Sequence, residues 1–162
     1  MAKGGRDVRL AVARNPGGYT EMLQALRHDG LPKHLLLTLN VRPGGAGKTG
    51  DPVCSGRYRP DVSWIWDVDF ESLRGLAGAA VVCGNRAADL AVRLKYAGWL
   101  AAKAAPGQAD IAVEPDPVLG FQLALGRTPA GQPVWALSNS LLLGQLRAWL
   151  LRQGYASAEG ER

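Results

Sequence analysis

The sequence predicts an α/β domain built on a doubly wound, mostly parallel sheet with helices on both faces. Two observations carry this. Short aliphatic runs alternate with helical patterns along almost the whole chain, as in "HLLLTLN" (34–40), "AAVVCG" (79–84) and "NRAADLAVRLKYAG" (85–98). Polar or glycine-rich turns, "RNPGG", "LN", "CGNR" and "SNS", follow the strands, so one rim of the sheet collects the chemistry.

Each element has its own signal. "DVRLAVAR" (7–14) reads as a strand that breaks at "NPGG". Tyr19, Met22, Leu23 and Leu26 recur at helical spacing, and Gly30 is a natural stop. Residues 34–40 form a continuous apolar run, which a strand buried on both faces requires. Residues 41–60, "VRPGGAGKTGDPVCSGRYRP", hold five glycines and three prolines and predict a long loop. A short helix is expected at "FESLRGL", then a strand over 79–84.

In the next helix Asn85 is the candidate cap, and Ala87, Leu90, Ala91, Leu94 and Ala97 form the apolar stripe. Asp89, four residues before Arg93, suggests an ion pair, and Gly98 ends the helix. A strand over 109–115, a helix over 117–127 and a strand over 132–138 follow. The last helix runs from Ser140 to Gln153, with Leu142, Leu146, Trp149 and Leu150 on one face. Residues 1–154 are thus one domain, and 155–162 a polar tail expected to fray.

Composition narrows the function classes. At 162 residues the chain is long enough for a single well-formed core, and 47% hydrophobic with 20% charged residues is ordinary globular usage. The net charge of +5 comes from 19 basic residues spread along the chain. Spread charge describes a solvated surface better than a nucleic-acid footprint. Cys54 and Cys83 have no metal-ligand spacing, and neither His28 nor His34 lies near them in sequence. No metal site is expected, and a reducing compartment is. The N-terminus lacks the apolar core of a signal peptide, and no run is long enough to span a bilayer. The protein is expected to be cytoplasmic and not an integral membrane protein.

Three motifs carry possible chemistry. "GGAGKTG" contains Gly-Lys-Thr after a strand, but Arg42 stands where a phosphate loop needs its first glycine, and "GDP" follows instead of a helix. A flexible basic loop is the better account. "RNPGGY" offers either a tight turn or a close backbone approach to a ligand near Asn15. "DVSWIWDVDFE" (61–71) packs two tryptophans and four acids into eleven residues. Trp64 and Trp66 are expected to pack on the sheet, while Asp69 and Glu71 complement the start of the following short helix. Asp61, directly after Pro60, is left free to face outward as a pre-oriented carboxylate. No Gly-x-Ser-x-Gly elbow is present and no cysteine–histidine pairing suggests itself, so a self-contained hydrolase is not expected.

Several segments together resemble the C-terminal domain of the MurT family, the Mur-ligase-like subunit of lipid II isoglutaminyl synthase. "DVRLAVARNPGGYTEML" resembles the family's strand–Asn-Pro-x-Gly-aromatic–helix entry, and "LLLTLN" its strand ending in Leu-Asn. "DVSWIWDVDFE" matches the family hallmark, and "GNRAADLAVRLKYAG" its Gly-x-Arg-Ala helix. The resemblance spans about residues 6–153 and implies a Rossmann-like fold of the Mur ligase C-terminal-domain type.

It also implies a role. The complete enzyme would use ATP and Mg²⁺, bound by a Mur-ligase-like ATP-binding domain or chain, with no cofactor bound by this chain alone. A GatD-like glutaminase partner would release ammonia from glutamine, and the complex would amidate the D-glutamate of lipid II at the inner face of the membrane. The resemblance makes Asp61 the third member of the glutaminase triad, lent across the subunit interface, with Pro60, Trp64 and Trp66 positioning it. Asn15, Asn40 and Arg86 are the rim residues on the substrate or nucleotide side. Two departures stand out: residues 41–60 replace a short family link, and "LSNS" (137–140) replaces a Pro-Thr-Tyr-Thr segment. The competing expectations are a non-catalytic interaction module on the same fold, and a small nucleotide- or nucleic-acid-binding domain acting through Lys48 of the basic loop.

Overall fold

The computed structural model describes residues 2–3, 6–41, 61–99 and 110–155. The long loop after Val41, with Pro60 and Lys48 in it, and the tail after Tyr155 lie outside these residues.

The strands are β1 (Ala2–Lys3), β2 (Arg6–Val12), β3 (Lys33–Thr38), β4 (Ala77–Cys83), β5 (Asp110–Val113) and β6 (Val134–Ser138). They form one sheet in the order β1-β2-β6-β3-β4-β5. β2 to β6 are all mutually parallel, and β1, which the sequence did not suggest, pairs antiparallel on β2. The helices are α1 (Pro16–Arg27), α2 (Ala87–Tyr96), α3 (Pro117–Arg127) and α4 (Ser140–Arg152). The expected doubly wound fold is therefore present, with element ends within a few residues of expectation.

The central strand explains the layering. β3 lies between β6 and β4, with Leu36 paired to Ala136 on one side and Val81 on the other. Every residue from Lys33 to Thr38 is buried, as a strand covered on both faces demands. Because side chains alternate, Leu35, Leu37 and Leu39 enter the core under α1 and α2, while Leu36 enters the core under α3 and α4. Each such leucine contributes about 1.5–3 kcal/mol of transfer free energy.

Two short 3-10 helices, Ser63–Asp67 and Phe70–Leu73, sit on the α1/α2 face between β3 and β4. This corrects the expected strand-like packing of "SWIW". Ile65, Val68, Phe70 and Leu73 are buried, whereas Trp66 is 52% exposed and does not pack on the sheet. Val62, Trp64, Trp66, Val68 and Phe70 alternate as in a strand, but the residues that are buried, Val62, Ile65, Val68, Phe70 and Leu73, recur at two- or three-residue spacing, as 3-10 turns place them. Tyr155, expected in a fraying tail, is buried in the α3/α4 core, where its ring adds apolar area.

Candidate site at the carboxyl rim of the sheet

The rim is stitched together at the ends of β2, β3, β4 and β6. At the end of β2, Asn15 caps α1, its side-chain oxygen accepting from the Gly18 amide at 2.8 Å, with Pro16 opening the helix. A Cβ on Gly18 would stand 3.3 Å from that oxygen, so the glycine lets the cap close. At the end of β3, Asn40 accepts from the Asn85 amide at 3.0 Å. Asn85 answers with both ends of its side chain, accepting from the Val41 amide (3.0 Å) and donating to the Val41 carbonyl (2.7 Å).

Asn85 therefore ties β4 to the chain leaving β3 and is not the helix cap expected of it. The capping position belongs to Arg86, whose side chain makes no cap bond. Gly84 has φ +100°, and a Cβ there would stand 2.3 Å from the Leu39 carbonyl oxygen. Only glycine allows β3 and β4 to end this close together. Beneath, the Thr38 hydroxyl donates to Ser138 at 2.7 Å, and the buried Tyr19 phenol donates to the Thr38 carbonyl at 2.8 Å. Burial, with a smaller contribution from the nearby Cys83, raises the Tyr19 pKa and keeps the phenol protonated. Asn15 and Asn40 are thus engaged in holding backbone, and the hydroxyls of Thr38, Ser138 and Tyr19 are occupied.

Asp61 stands at the same rim, where the described chain resumes after residues 42–60. Its carboxylate is exposed and accepts from the Ser63 amide (2.8 Å) and the Ser63 hydroxyl (3.0 Å), an Asx turn that fixes both oxygens. Those two bonds, with a smaller contribution from Arg86, lower its pKa below the ordinary value of 3.8. Asp61 is therefore ionised at neutral pH. Arg86 in turn grips Asp89 through two hydrogen bonds, Nε–Oδ2 at 2.6 Å and Nη2–Oδ1 at 3.0 Å. The pairing of Asp89 is with Arg86 and not with Arg93, as its helical spacing had suggested.

Arg93 is the rigid element behind the site. It is 4% exposed and stands on the buried stripe of α2 beside Leu90, Leu94 and Ala97. Its guanidinium donates to the carbonyls of Ile65 (3.1 Å) and Val68 (2.7 Å) and binds both Glu71 oxygens at 2.8 Å. Each carbonyl also accepts a local amide, Ile65 from Val68 at 3.4 Å and Val68 from Phe70 at 2.9 Å, and one planar fork from α2 supplies the second donor to both. Glu71 stands in the first turn of the second 3-10 helix, as expected, with its carboxylate held by Arg93, while Asp69 at the cap position makes no side-chain cap bond. Arg93 also lies 5.4 Å beneath the Trp66 ring, and Trp66 leans on Tyr96 with ring centroids 5.8 Å apart. Trp64 is half-buried against Tyr19, 5.8 Å between centroids.

The sequence reading named Asp61, Trp64 and Trp66 but missed Ser63 and Arg93. The signal for Ser63 was its position two residues after an aspartate, which favours an Asx turn. The signal for Arg93 was a charged residue on the apolar stripe between Leu90 and Ala97, which only a fully partnered guanidinium tolerates.

The chemistry the described residues offer is narrow. Burial and nearby acids push the Cys83 thiol up to about 12, so it is not a nucleophile at neutral pH. His34 is the second residue of β3, at the opposite end of the sheet, where its Nε2 bonds Gln132 at 2.6 Å. Among the described residues no group of three or more His, Cys, Asp or Glu could hold a metal ion. None of their helices is long and apolar enough to cross a membrane. What remains where the acidic segment meets α2 is an oriented, ionised, outward-facing carboxylate, that of Asp61.

Comparison with known proteins agrees with the fold. A 93-residue stretch is 32% identical to the lipid II isoglutaminyl synthase (glutamine-hydrolyzing) subunit MurT of Staphylococcus aureus, covering 57% of this chain and 18% of that protein. The same subunit of Streptococcus pneumoniae is 28% identical over 101 residues, 62% of this chain and 20% of that protein. The matched region is thus about a fifth of the length of these relatives. The crystal structure of a murein peptide ligase from Psychrobacter arcticus superposes with a TM-score of 0.53 at 16% identity, over 98% of this chain and 30% of that one, a likeness of fold. Residues 12–114, which hold Asn15, Asn40, Asp61 and Arg86, match the family described as MurT ligase C-terminal, and the chain belongs to that family.

Proposed function

We propose that this chain is the C-terminal part of a MurT–GatD-type lipid II isoglutaminyl synthase, docking a glutaminase and lending Asp61 to its Cys–His site. The observation that carries this is the Asp61 carboxylate, exposed, ionised and held on both oxygens by Ser63. A triad's third member has to keep the imidazole in one tautomer and stabilise its protonated form, and a carboxylate does this from any chain that presents it rigidly. The partner's histidine would take the cysteine thiol proton at one nitrogen while its other N–H donates to Asp61. Arg93 supports the reading by clamping the segment that follows Asp61 to α2.

ATP and Mg²⁺ are assigned to the Mur-ligase-like ATP-binding domain or chain of the complete enzyme. Among the described residues no group of three or more His, Cys, Asp or Glu offers a ligand set for the metal. The ammonia released by the glutaminase would amidate the D-glutamate of lipid II, which places the complex in the cytoplasm at the inner face of the membrane.

The test is glutamine hydrolysis by a GatD-type glutaminase mixed with this chain. Asp61→Asn should lower kcat by on the order of 10³–10⁴, as losing the orienting carboxylate does in a triad. Stable binding with equal rates for wild type and Asp61→Asn would instead indicate a non-catalytic interaction module.

A further inference from the structure

The four helices do not begin alike. α1, α3 and α4 open on Asn15, Asp116 and Asn139, and each of these side chains accepts from amides of the first turn. α2 has Arg86 in that place, with no side-chain cap bond. A cation there stands against the helix dipole and leaves the first amides without a cap, so two local preferences are given up at one residue. Departures of this kind concentrate where a side chain serves something other than stability.

The surroundings of Arg86 indicate what it serves. Its backbone is pinned to the rim, the amide donating to the Leu39 carbonyl at 3.1 Å. Its guanidinium is drawn back onto the first turn of α2, Nε to Oδ2 and Nη2 to Oδ1 of Asp89, so both oxygens of that carboxylate are engaged. Asp89 and Ser63 line one groove from its two sides, and Ser63 carries the Asp61 carboxylate on its amide and hydroxyl. Arg86 thus has two carboxylates within reach: it is bonded to Asp89, and it and Asp61 each favour the charged form of the other through space. Among the described residues it is the only cation that acts on Asp61 in this way.

A guanidinium and a solvated carboxylate this near close into a fork-to-fork pair unless one of them is held elsewhere. Such a pair would occupy the Asp61 oxygens that a histidine N–H has to reach, and would oppose the imidazolium that forms beside them. We propose that Asp89 is a positioning residue of the triad: it holds the Arg86 guanidinium on α2 and so keeps the Asp61 carboxylate open to the partner's imidazole. The inference rests on the proposed function and adds to it a residue that acts through Arg86. Held on α2, Arg86 still favours the ionised Asp61 without taking its lone pairs. An acid that only complements the α2 dipole would account for the place of Asp89 in the first turn, but not for its two-bond grip on Arg86.

The test is glutamine hydrolysis by a GatD-type glutaminase saturated with the full chain, at low and high salt, with circular dichroism melts of each variant. Asp89→Asn frees the fork towards Asp61 and should lower kcat about fivefold at low salt, the effect of a strong exposed ion pair, with part of the loss recovered at high salt. Adding Arg86→Gln to Asp89→Asn should bring kcat back to within about twofold of wild type, although it removes a second charge. A purely structural Asp89 predicts the reverse, a double variant at least as slow as the single one and a lowered melt. Wild-type kcat in Asp89→Asn, or a double variant no faster than the single one, overturns the positioning role and leaves the Asp61 reading standing. Wild-type kcat in Asp61→Asn overturns both.

Discussion

β3 and the acidic segment that begins at Asp61 are both held against the same core, by opposite means. β3 is secured by repetition: six consecutive buried residues, ladders on both sides and leucines alternating between two cores. The acidic segment has neither a ladder nor alternating burial. Its place is set by Ile65, Val68 and Phe70 together with one buried guanidinium that satisfies two carbonyls and a carboxylate. Repetition spreads stability over many small contributions, whereas the clamp concentrates it in Arg93. A carboxylate that must be presented at a defined place gains from the second design, because the irregular backbone leaves Asp61 free to turn outward.

The sharpest way to break this comparison is Arg93→Ala. It takes the second donor from the Ile65 and Val68 carbonyls, which keep only the Val68 and Phe70 amides, and leaves Glu71 without its cation, so a loss of about 3–5 kcal/mol is expected in chemical denaturation. Glutamine hydrolysis with the partner should fall as well, even below the melting temperature, because the segment carrying Asp61 loses its clamp. Leu37→Ala, deep in β3, should cost about 2–5 kcal/mol by leaving a cavity. At temperatures where it is folded, its effect on hydrolysis should be far smaller than that of Arg93→Ala. Similar rate losses in the two variants would mean that general loosening, not the clamp, governs Asp61.

The smallest effect is pH-dependent. Arg93 lowers the Glu71 pKa below its ordinary 4.5. A depressed carboxyl pKa means the unfolded chain binds the proton more readily, so the pair stabilises the fold above about pH 4.5. That contribution is lost as pH falls through the lower folded value. Glu71 is half exposed, so the effect should stay within about 1 kcal/mol. The difference in Tm between wild type and Glu71→Gln should be present at pH 6 and shrink towards pH 3. A difference that grows on acidification would contradict the assignment of the Glu71–Arg93 pair.

The α/β alternation was legible because aliphatic runs and helical spacing are local patterns. The same holds for α3, whose predicted span of 117–127 coincides with Pro117–Arg127. β1 was not legible, since two residues paired on an edge leave no pattern. The site was half legible. Asp61 was singled out by its place after Pro60 and by the family resemblance, but its partner Ser63 and the Arg93 clamp were not. The helical spacing of Asp89 and Arg93 suggested a pair, yet the structure turns Asp89 to Arg86 and Arg93 inward. Spacing on a helix says which side chains can meet. It does not say which will, because a buried carbonyl from a distant segment outbids a solvated carboxylate for the guanidinium.

Local order along the chain was enough to settle the layered fold, the direction of the sheet and the cluster of acids around two tryptophans, because each depends on neighbours within a turn or a strand. Tertiary packing alone decided that Trp66 faces solvent, that Arg93 is buried beneath it, and that Val92 and Tyr96 extend the apolar surface next to Asp61. Those outcomes rest on contacts between 3-10 helix and α2, segments some twenty-five residues apart, and no sequence window as short as a secondary-structure element contains both.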